Sequence, residues 1–282
     1  MSHGAVLFAQ NNSIIDYVKL AIFSAKKINK FLDIPVSIVT DSRGYLESQY
    51  PDHPFDQIID IPQDETYFQR RFNDGSLSNK ILEWKNLSRH QIYHLSPYDT
   101  TLVLDVDYII NSSVLKVALQ TDCPLQIYSR SMDIAEWRDA SEFQRINPYS
   151  IPFYWATAFI FNKGTISESF FSLLTHIKDN WEYFRTLYCI SSPMFRNDLA
   201  FSIAIHIMNG KKSGDFAQEL PGKMIYAKDT DILISTKNTT MKFLIEKKDY
   251  LGEYTVAKTT GLDIHVMNKL SLSRYIDGGS GV

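Results

Sequence analysis

Two aspartates, Asp105 and Asp107, follow a short apolar run at 101–104. A run of this length and composition predicts a buried strand. In an extended backbone, residues two apart point to the same side, so we expect both carboxylates to face one site. Carboxylate oxygens suit Mg²⁺ or Mn²⁺, and such an ion stabilises charge on a leaving nucleoside diphosphate. The pair therefore predicts a metal site that binds a nucleotide diphosphate, with a solvated strand end as the alternative.

A second D-x-D triplet, Asp229-Thr230-Asp231, lies in the C-terminal half. Triplets this short arise by chance in a chain with 32 acidic residues, so the spacing alone decides nothing. The Asp105 pair is favoured because it ends a predicted strand and follows several strand–helix units. We interpret the second triplet as a solvated turn.

The elements around the first pair alternate between strand and helix. We predict strands at 5–9, 36–40, 58–61, 101–104, 125–129 and 156–162, and helices at 14–31, 77–93, 166–187 and 198–208. Ser13, with Asp16 three positions later, resembles a capping box at the start of the first helix. The alternation predicts an α/β fold with an open, mostly parallel twisted sheet and helices on both faces, whose ligands bind at the carboxyl ends of the strands. Residues 223–227 and 240–245 predict a small C-terminal sheet.

Composition limits the class of protein. The chain has 282 residues, 44% of them hydrophobic, and a net charge of -3, which favours a large globular core over a general polyanion binder. We expect one domain over 1–277 and a flexible tail at 278–282. The absence of a long apolar run predicts no membrane span and no signal peptide. Cys123 and Cys189 are interpreted as reduced, buried thiols of a cytoplasmic protein, in the host cytoplasm if the chain is viral.

Two long polar and aromatic segments, 63–76 and 132–151, are expected to be loops that cover a site. A series of basic residues begins in the first of these segments and continues beyond it. It comprises Arg70, Arg71, Lys80, Lys85, Arg89 and His90. This series is either a strip that binds phosphates or, as we favour, a solvated charged helix face.

Five segments resemble, in order, the glycogenin-like glycosyltransferases. They are LFAQNNSIIDYVKLAIFSAKK, the run 78–110 that ends in TLVLDVDYII, FYWATAFIFNKG, NDLAFSIA and LDIHVMNKL. The run 78–110 also carries Lys80 and Trp84 at the spacing of a Lys–Trp helix in that group. The resemblance implies a GT-A type nucleotide-diphospho-sugar transferase fold.

The resemblance also implies a role for each matching residue. The metal ligands would be Asp105, Asp107 and His265. The nucleotide-sugar would be bound by Gln10, Asn11, Tyr17, Asp41, Lys80, Val106 and Lys269. Asp198, beside Asn197, and Lys80 would act at the transferred sugar. The residues alone leave other roles open: a core histidine for His265, turn or cap chemistry for Asn11, Asp41 and Asp198, a core aromatic for Tyr17, and a surface lysine for Lys80.

The activity that the resemblance implies is transfer of a hexose, glucose or galactose, from a UDP-sugar to an acceptor hydroxyl. The reaction would use Mn²⁺ or Mg²⁺ and retain the anomeric configuration. The acceptor remains open among a saccharide, a protein, a lipid and a hydroxymethylated DNA base, and so does the oligomeric state.

Two other classes stay open. A non-catalytic nucleotide- or carbohydrate-binding module is one, because the late motif is reduced to His265, Asn268 and Lys269 and because Trp155, Ala156 and Thr157 replace the expected Asn and Gly. A nucleotidyltransferase is the other. The lack of a Gly-rich basic loop after the first strand argues against it.

Overall fold

The computed structural model describes residues 2–62, 68–85, 88–135, 138 and 143–277. Its main feature is a seven-stranded sheet in the order β11-β8-β10-β6-β1-β2-β3. These strands are β1 (His3–Phe8), β2 (Val36–Thr40), β3 (Gln57–Asp60), β6 (Thr100–Leu104), β8 (Leu125–Tyr128), β10 (Trp155–Asn162) and β11 (Ala217–Glu219). All neighbouring pairs are parallel except those made by β10. The prediction of an α/β fold with a mostly parallel sheet is confirmed.

The helices complete the α/β architecture. They are α1 (Tyr17–Leu32), α2 (Arg43–Gln49), α3 (Ile92–Leu95), α4 (Leu115–Ala118), α5 (Thr165–Asp179), α6 (Trp181–Leu187), α7 (Asn197–Met208) and α8 (Lys269–Asp277), with a 3₁₀ helix at Ser88–Gln91. Helix α1 packs on β1 and β2, whereas α7 packs on β10 and on α5. Asp16 is the N-cap of α1, because its side chain accepts a hydrogen bond from the Lys19 amide at 2.9 Å. The prediction of a Ser13 cap was wrong by three residues.

Three smaller sheets accompany the main one. A four-stranded sheet has the order β7-β16-β12-β9, a three-stranded sheet has the order β13-β14-β15, and β4 pairs with β5. Their strands are β4 (Phe68–Asn73), β5 (Asn79–Trp84), β7 (Tyr108–Ile109), β9 (Ser131–Asp133), β12 (Met224–Ala227), β13 (Ile232–Lys237), β14 (Thr240–Glu246), β15 (Tyr254–Thr260) and β16 (Ile264–Val266). The two late strands predicted to share one C-terminal sheet, β12 and β14, belong to different sheets.

The predicted helix at 77–93 is wrong. Its first half is β5, which pairs with β4 in antiparallel register from Phe68↔Trp84 to Asn73↔Asn79. Its second half is the 3₁₀ helix followed by α3. Pairing with a partner strand overrides the weak intrinsic helix preference of this segment. The other predicted helix that changes is 166–187, which is divided into α5 and α6 at Asn180.

The core lies on and around the central strands. Every residue of β2 and β6, and all but the first of β1, is buried. A strand buried on both faces cannot hold a carboxylate along its length without a large desolvation cost, so polar groups collect where the strands end. The carboxyl ends of β1, β2 and β6 lie at one edge because these strands are parallel.

Three further expectations concern exposure and the chain ends. Cys123 is buried, but Cys189 is exposed, so only one of the two thiols fits the prediction. Within the described ranges, no helix is long and apolar enough to span a membrane. The expected tail at 278–282 and parts of the expected covering loops, at 63–67, 136–137 and 139–142, lie outside the described residues. The single domain over 1–277 stays a prediction.

Candidate active site

The two carboxylates of the first D-x-D lie in a tight turn after β6. The Asp105 amide donates to the Thr157 carbonyl of β10 at 2.8 Å, and the Tyr108 amide donates to the Asp105 carbonyl at 3.0 Å. That second bond closes a β-turn over residues 105–108. The carboxylates therefore converge through a turn, and the expected strand alternation is not the reason that they share a site. Asp105 is partly exposed, whereas Asp107 is 1% exposed.

His265 reaches the same point from a remote part of the chain. It lies in β16, opposite Tyr108 of β7 and Tyr226 of β12. The adjacent Val266 amide donates to the Asp107 carbonyl at 2.9 Å, which fixes β16 against the turn. Ligand atoms of Asp105, Asp107 and His265 all lie within 4.8 Å of one another. The structure brings the three predicted metal ligands together; their role as ligands stays a prediction.

Asp107 is held ionised by the Lys269 ammonium and the neighbouring His265 ring. Lys269 Nζ lies 2.5 Å and His265 Nε2 lies 3.2 Å from Asp107 Oδ2. Burial on its own raises the pKa of this carboxyl, but the Lys269 ammonium and the His265 ring outweigh burial and keep the pKa well below its usual range. Asp107 therefore carries its full negative charge at neutral pH.

The residues fit a divalent cation. Asp107 Oδ1 and His265 Nδ1 are buried, and neither has a hydrogen-bond partner among the described residues. Buried polar atoms are normally paired, and a carboxylate–carboxylate–imidazole set is a donor combination that Mn²⁺ accepts. Elsewhere in the described part of the chain, no other group of three such side chains comes together.

Arg89 is a contact that the sequence reading missed. Its guanidinium is 1% exposed and donates to both Asp105 Oδ1 and the Ala156 carbonyl. The guanidinium has a planar fork of donors, so it joins the turn after β6 to β10. The interpretation of Arg89 as part of a solvated helix face is wrong, since its charge is buried against the first aspartate of the D-x-D.

Asp198 lies in the first turn of α7 and lines the same cavity as the D-x-D. Its Oδ1 accepts a hydrogen bond from the Ala156 amide at 2.9 Å, and its Oδ2 lies 3.1 Å from Arg196 Nη2. The N-cap position of α7 is Arg196, with no side-chain capping bond. The alternative role of Asp198 as the N-cap of this helix is therefore wrong.

The ends of β1 and β2 supply a second polar group beside the cavity. Gln10 Nε2 donates to Asp41 Oδ2 at 3.5 Å, and Lys85 Nζ lies 3.6 Å from the same oxygen. Gln10 and Lys85 line the cavity, and Asp41 is held behind them. Asn11 differs from this group, because its Oδ1 accepts a hydrogen bond from the Val18 amide at 3.0 Å and shapes the turn into α1.

Tyr17 lines the cavity from the first turn of α1. Its hydroxyl is buried and has no hydrogen-bond partner among the described residues. Burial raises the pKa of this phenol far above its usual value, and the nearby Asp107 charge adds to the effect. The hydroxyl therefore stays protonated and can act as a donor, in addition to any stacking by the ring.

Two further predicted contacts have different outcomes. Val106 lies between the aspartates and lines the cavity. Lys80 does not: it is exposed on β5 opposite Phe72, and its charge acts on Asp74. The role of Lys80 was implied by the resemblance to a Lys–Trp helix, but this segment is a strand that pairs with β4 and places Lys80 outside the cavity lining.

The second D-x-D is split between two environments. Asp231 is 1% exposed, and its two oxygens accept hydrogen bonds from Arg138 at 2.7 and 2.6 Å. Asp229 lines the cavity and accepts a hydrogen bond from Asn73 at 2.9 Å. The interpretation of the triplet as a solvated turn is wrong for Asp231, which is half of a buried ion pair.

The remaining wall of the cavity is aromatic and basic. The Trp155 ring stacks on Tyr226 with 5.5 Å between centroids and meets the His265 ring edge-on at 6.1 Å. Arg70 and Arg71, from β4, also line the cavity. Their position agrees with the expectation that segment 63–76 covers a site. No alternation of apolar and polar residues in β4 marked it as a strand.

Comparisons with known proteins give likenesses of fold. No protein-family model and no curated protein sequence matches the chain. Among solved structures, the galactosyltransferase LgtC is 13% identical, with 77% of this chain and 72% of that chain covered and a TM-score of 0.46. Mouse xyloside xylosyltransferase 1 is 12% identical, with 78% and 85% covered and a TM-score of 0.43.

A third structure with a similar fold is the bifunctional IspDF from Campylobacter jejuni. It is 14% identical, with a TM-score of 0.41; 79% of this chain is covered, but only 50% of that chain. At these values the likenesses say nothing about which reaction this chain performs.

Proposed function

We propose that this chain is a metal-dependent glycosyltransferase of the GT-A type that takes a sugar from a nucleotide-sugar donor. The observation that carries the proposal is the meeting of Asp105, Asp107 and His265 within 4.8 Å at the end of the central strand. An open sheet binds its ligand outside the carboxyl ends of its strands, and this cluster lies at that edge. A cluster of this composition is a site for a divalent ion with a diphosphate as the further ligand.

The charge of the cavity supports a diphosphate ligand. The cations that line the cavity are Arg70, Arg71, Lys85, Arg89, Arg196, Lys228 and Lys269, and the acids are Asp105, Asp107, Asp198 and Asp229. Cationic side chains thus outnumber acidic ones, although the whole chain carries a charge of -3. An excess of positive charge in one concave site attracts an anionic ligand.

The divalent ion, held by Asp105, Asp107 and His265, would stabilise the negative charge on the departing nucleoside diphosphate. Lys269 would add an ammonium at the same phosphates. Asp198 would orient the transferred sugar, because its carboxylate is fixed by the Ala156 amide and faces the cavity. Arg89 would act through Asp105 by holding that carboxylate in position.

The nucleoside would lie toward the ends of β1 and β2. Gln10 offers its amide group to the base or ribose, Asp41 positions Gln10 and Lys85 from behind, and the Tyr17 ring offers a stacking surface. We propose UDP as the nucleotide, glucose or galactose as the sugar, Mn²⁺ as the ion and retention of configuration, on the basis of the resemblance to the glycogenin-like group. The acceptor is a hydroxyl group.

A donor panel tests the proposal. The chain is incubated with Mn²⁺ and each common nucleotide-sugar, and free nucleoside diphosphate is measured with and without EDTA. We expect UDP release from a UDP-hexose, abolished by EDTA and by Asp107→Asn. Asp60→Asn, which replaces an aspartate at the end of β3 outside the cavity lining, is the matched control and should leave the release unchanged.

The same panel, extended with nucleoside triphosphates and sugar phosphates, separates the alternatives. Tight Mn²⁺-dependent UDP binding without release from any donor would identify a binding module. Release of pyrophosphate from a nucleoside triphosphate and a sugar phosphate would identify a nucleotidyltransferase. Full release in EDTA would contradict the metal centre.

A further inference from the structure

Lys269 occupies a rigid position at the start of α8. The side chain of the preceding Asn268 fixes the start of the helix through two hydrogen bonds. Its amide nitrogen donates to the Asp231 carbonyl at 2.8 Å, and its Oδ1 accepts a hydrogen bond from the Ser271 amide at 2.9 Å. Asn268 is 1% exposed. The backbone of Lys269 is therefore fixed, and its ammonium changes place only by rotation about side-chain bonds.

The ammonium of Lys269 is in contact with the second aspartate of the D-x-D. Nζ lies 2.5 Å from Asp107 Oδ2, and the side chain of Lys269 is 16% exposed. The positive end of a helix dipole disfavours an ammonium in the first turn. The ion pair with Asp107 offsets this cost and keeps the ammonium in the cavity lining.

The carboxylate that Lys269 contacts also belongs to the cluster that fits a divalent ion. A divalent ion on Asp107 Oδ1 and the Lys269 ammonium on Oδ2 of the same carboxylate would lie within a few ångströms of each other in a poorly solvated site, so their repulsion disfavours holding both. Lys269 itself lines the cavity, so it has somewhere to move. Ion binding therefore favours rotation of the ammonium away from Asp107 and into the space that an anionic ligand would fill.

We propose that Lys269 is a competing internal cation: it neutralises Asp107 when no divalent ion is bound, and it moves to the donor diphosphate when the ion takes its place. This inference rests on the proposed function. Metal and nucleotide are then coupled through one side chain, because the ion releases the ammonium that the diphosphate needs. By linkage, the nucleotide strengthens ion binding by the same factor.

The test is direct binding of Mn²⁺ and UDP to the full chain, with no turnover required. Mn²⁺ affinity is measured without nucleotide for the wild type, Lys269→Met, Lys269→Arg and Lys85→Met, and UDP affinity is measured at saturating Mn²⁺. We expect Lys269→Met to bind Mn²⁺ about tenfold more tightly or better, and UDP at least about tenfold more weakly. Lys269→Arg, which keeps the charge, should bind Mn²⁺ no more tightly than the wild type.

Lys85→Met is the matched control for the loss of one positive charge anywhere in the cavity. Lys85 lines the same cavity but pairs with Asp41. It should bind Mn²⁺ within about twofold of the wild type if contact with Asp107 is what matters. Equal tightening in Lys85→Met and Lys269→Met would overturn the proposal in favour of a non-specific charge effect.

The remaining outcomes are also decisive. Unchanged or weaker Mn²⁺ binding by Lys269→Met, with weaker UDP binding, would make Lys269 a plain phosphate ligand and overturn the competition while leaving the proposed function intact. A Lys269→Met chain that folds only with Mn²⁺ would support the exchange. A chain that folds neither with nor without Mn²⁺ would show that Lys269 is required for the fold and would overturn the exchange. A wild type that binds Mn²⁺ neither alone nor with UDP would refute the proposed metal centre itself.

Discussion

The imidazole Nε2 of His265 lies 3.2 Å from Oδ2 of Asp107, although the two residues come from opposite halves of the chain. The contact depends on β16, which pairs with β7 immediately after the D-x-D turn. A histidine in the core needs a partner for each ring nitrogen, yet Nδ1 of His265 has none among the described residues. This geometry favours a ligand over a core histidine, because the ring can rotate to offer either nitrogen.

His265→Ala should weaken Mn²⁺ binding by about 100-fold, since even residues behind a metal ligand change affinity by 10- to 100-fold. His265→Asn should recover part of this loss, because its amide oxygen is also a metal donor. Calorimetric titration with Mn²⁺ measures both. Normal Mn²⁺ affinity together with a melting temperature lowered by several degrees would instead make His265 a packing residue.

Arg89→Met should destabilise the fold by about 3 kcal/mol, because it leaves the Asp105 carboxylate and the Ala156 carbonyl without their shared donor. Arg89→Lys should recover little, since one ammonium cannot reproduce the fork that joins the two acceptors. Urea unfolding provides the measurement. The control is Arg43→Met, an exposed arginine paired with Glu47 and Asp60, which should leave the unfolding free energy unchanged. Equal unfolding free energies for the Arg89→Met and Arg43→Met variants would contradict the structural role of Arg89.

Asp231→Asn should cost about 3 kcal/mol of stability, because the Arg138 guanidinium would stay buried with one charged partner fewer. Asp229→Asn, two residues away, should unfold at the same urea concentration as the wild type, since Asp229 has one part-buried hydrogen bond with Asn73. Urea denaturation of the two variants side by side tests whether Asp231, and not Asp229, stabilises the fold. Equal stability of both would show that Asp231 is not a structural anchor.

Tyr17→Phe should be neutral or slightly stabilising without ligand, because the hydroxyl that it removes is buried and has no partner among the described residues. In the presence of Mn²⁺, the same change should weaken UDP binding if the hydroxyl donates to the ligand. Tyr17→Leu removes the ring as well and separates stacking from hydrogen bonding. Unchanged UDP affinity in Tyr17→Phe with a large loss in Tyr17→Leu would assign Tyr17 to stacking alone.

The sequence predicted the central sheet well because its inner strands are short runs of apolar and β-branched residues. The predicted 36–40 coincides with β2, and 101–104 differs from β6 by one residue. Hairpin β4–β5 was missed because neither strand has enough apolar residues to fix its period, so the pairing between them decides the structure. For the same reason, the sequence did not show that Lys80 lies on a strand outside the cavity lining.

The meeting of Asp105, Asp107 and His265 was predicted from the sequence because their types and order match a known pattern. Arg89 was not found, since an arginine between polar neighbours gives no sign that it will be buried beside Asp105. The difference between Asp229 and Asp231 was equally hidden, because the partner of Asp231 is Arg138 in a remote segment. Long-range ion pairs of this kind leave no local signal in the sequence.

Asp105, Asp107 and His265 are proposed to hold a divalent ion that binds the donor diphosphate. Crystals grown with MnCl₂ and UDP test this proposal most directly, through an anomalous difference map collected at the manganese edge. We expect one strong peak at about 2.0–2.3 Å from oxygens of Asp105 and Asp107 and a ring nitrogen of His265, with the UDP phosphates completing the shell. A peak beside Asp229, or bound UDP with no peak at the D-x-D turn, would contradict the account.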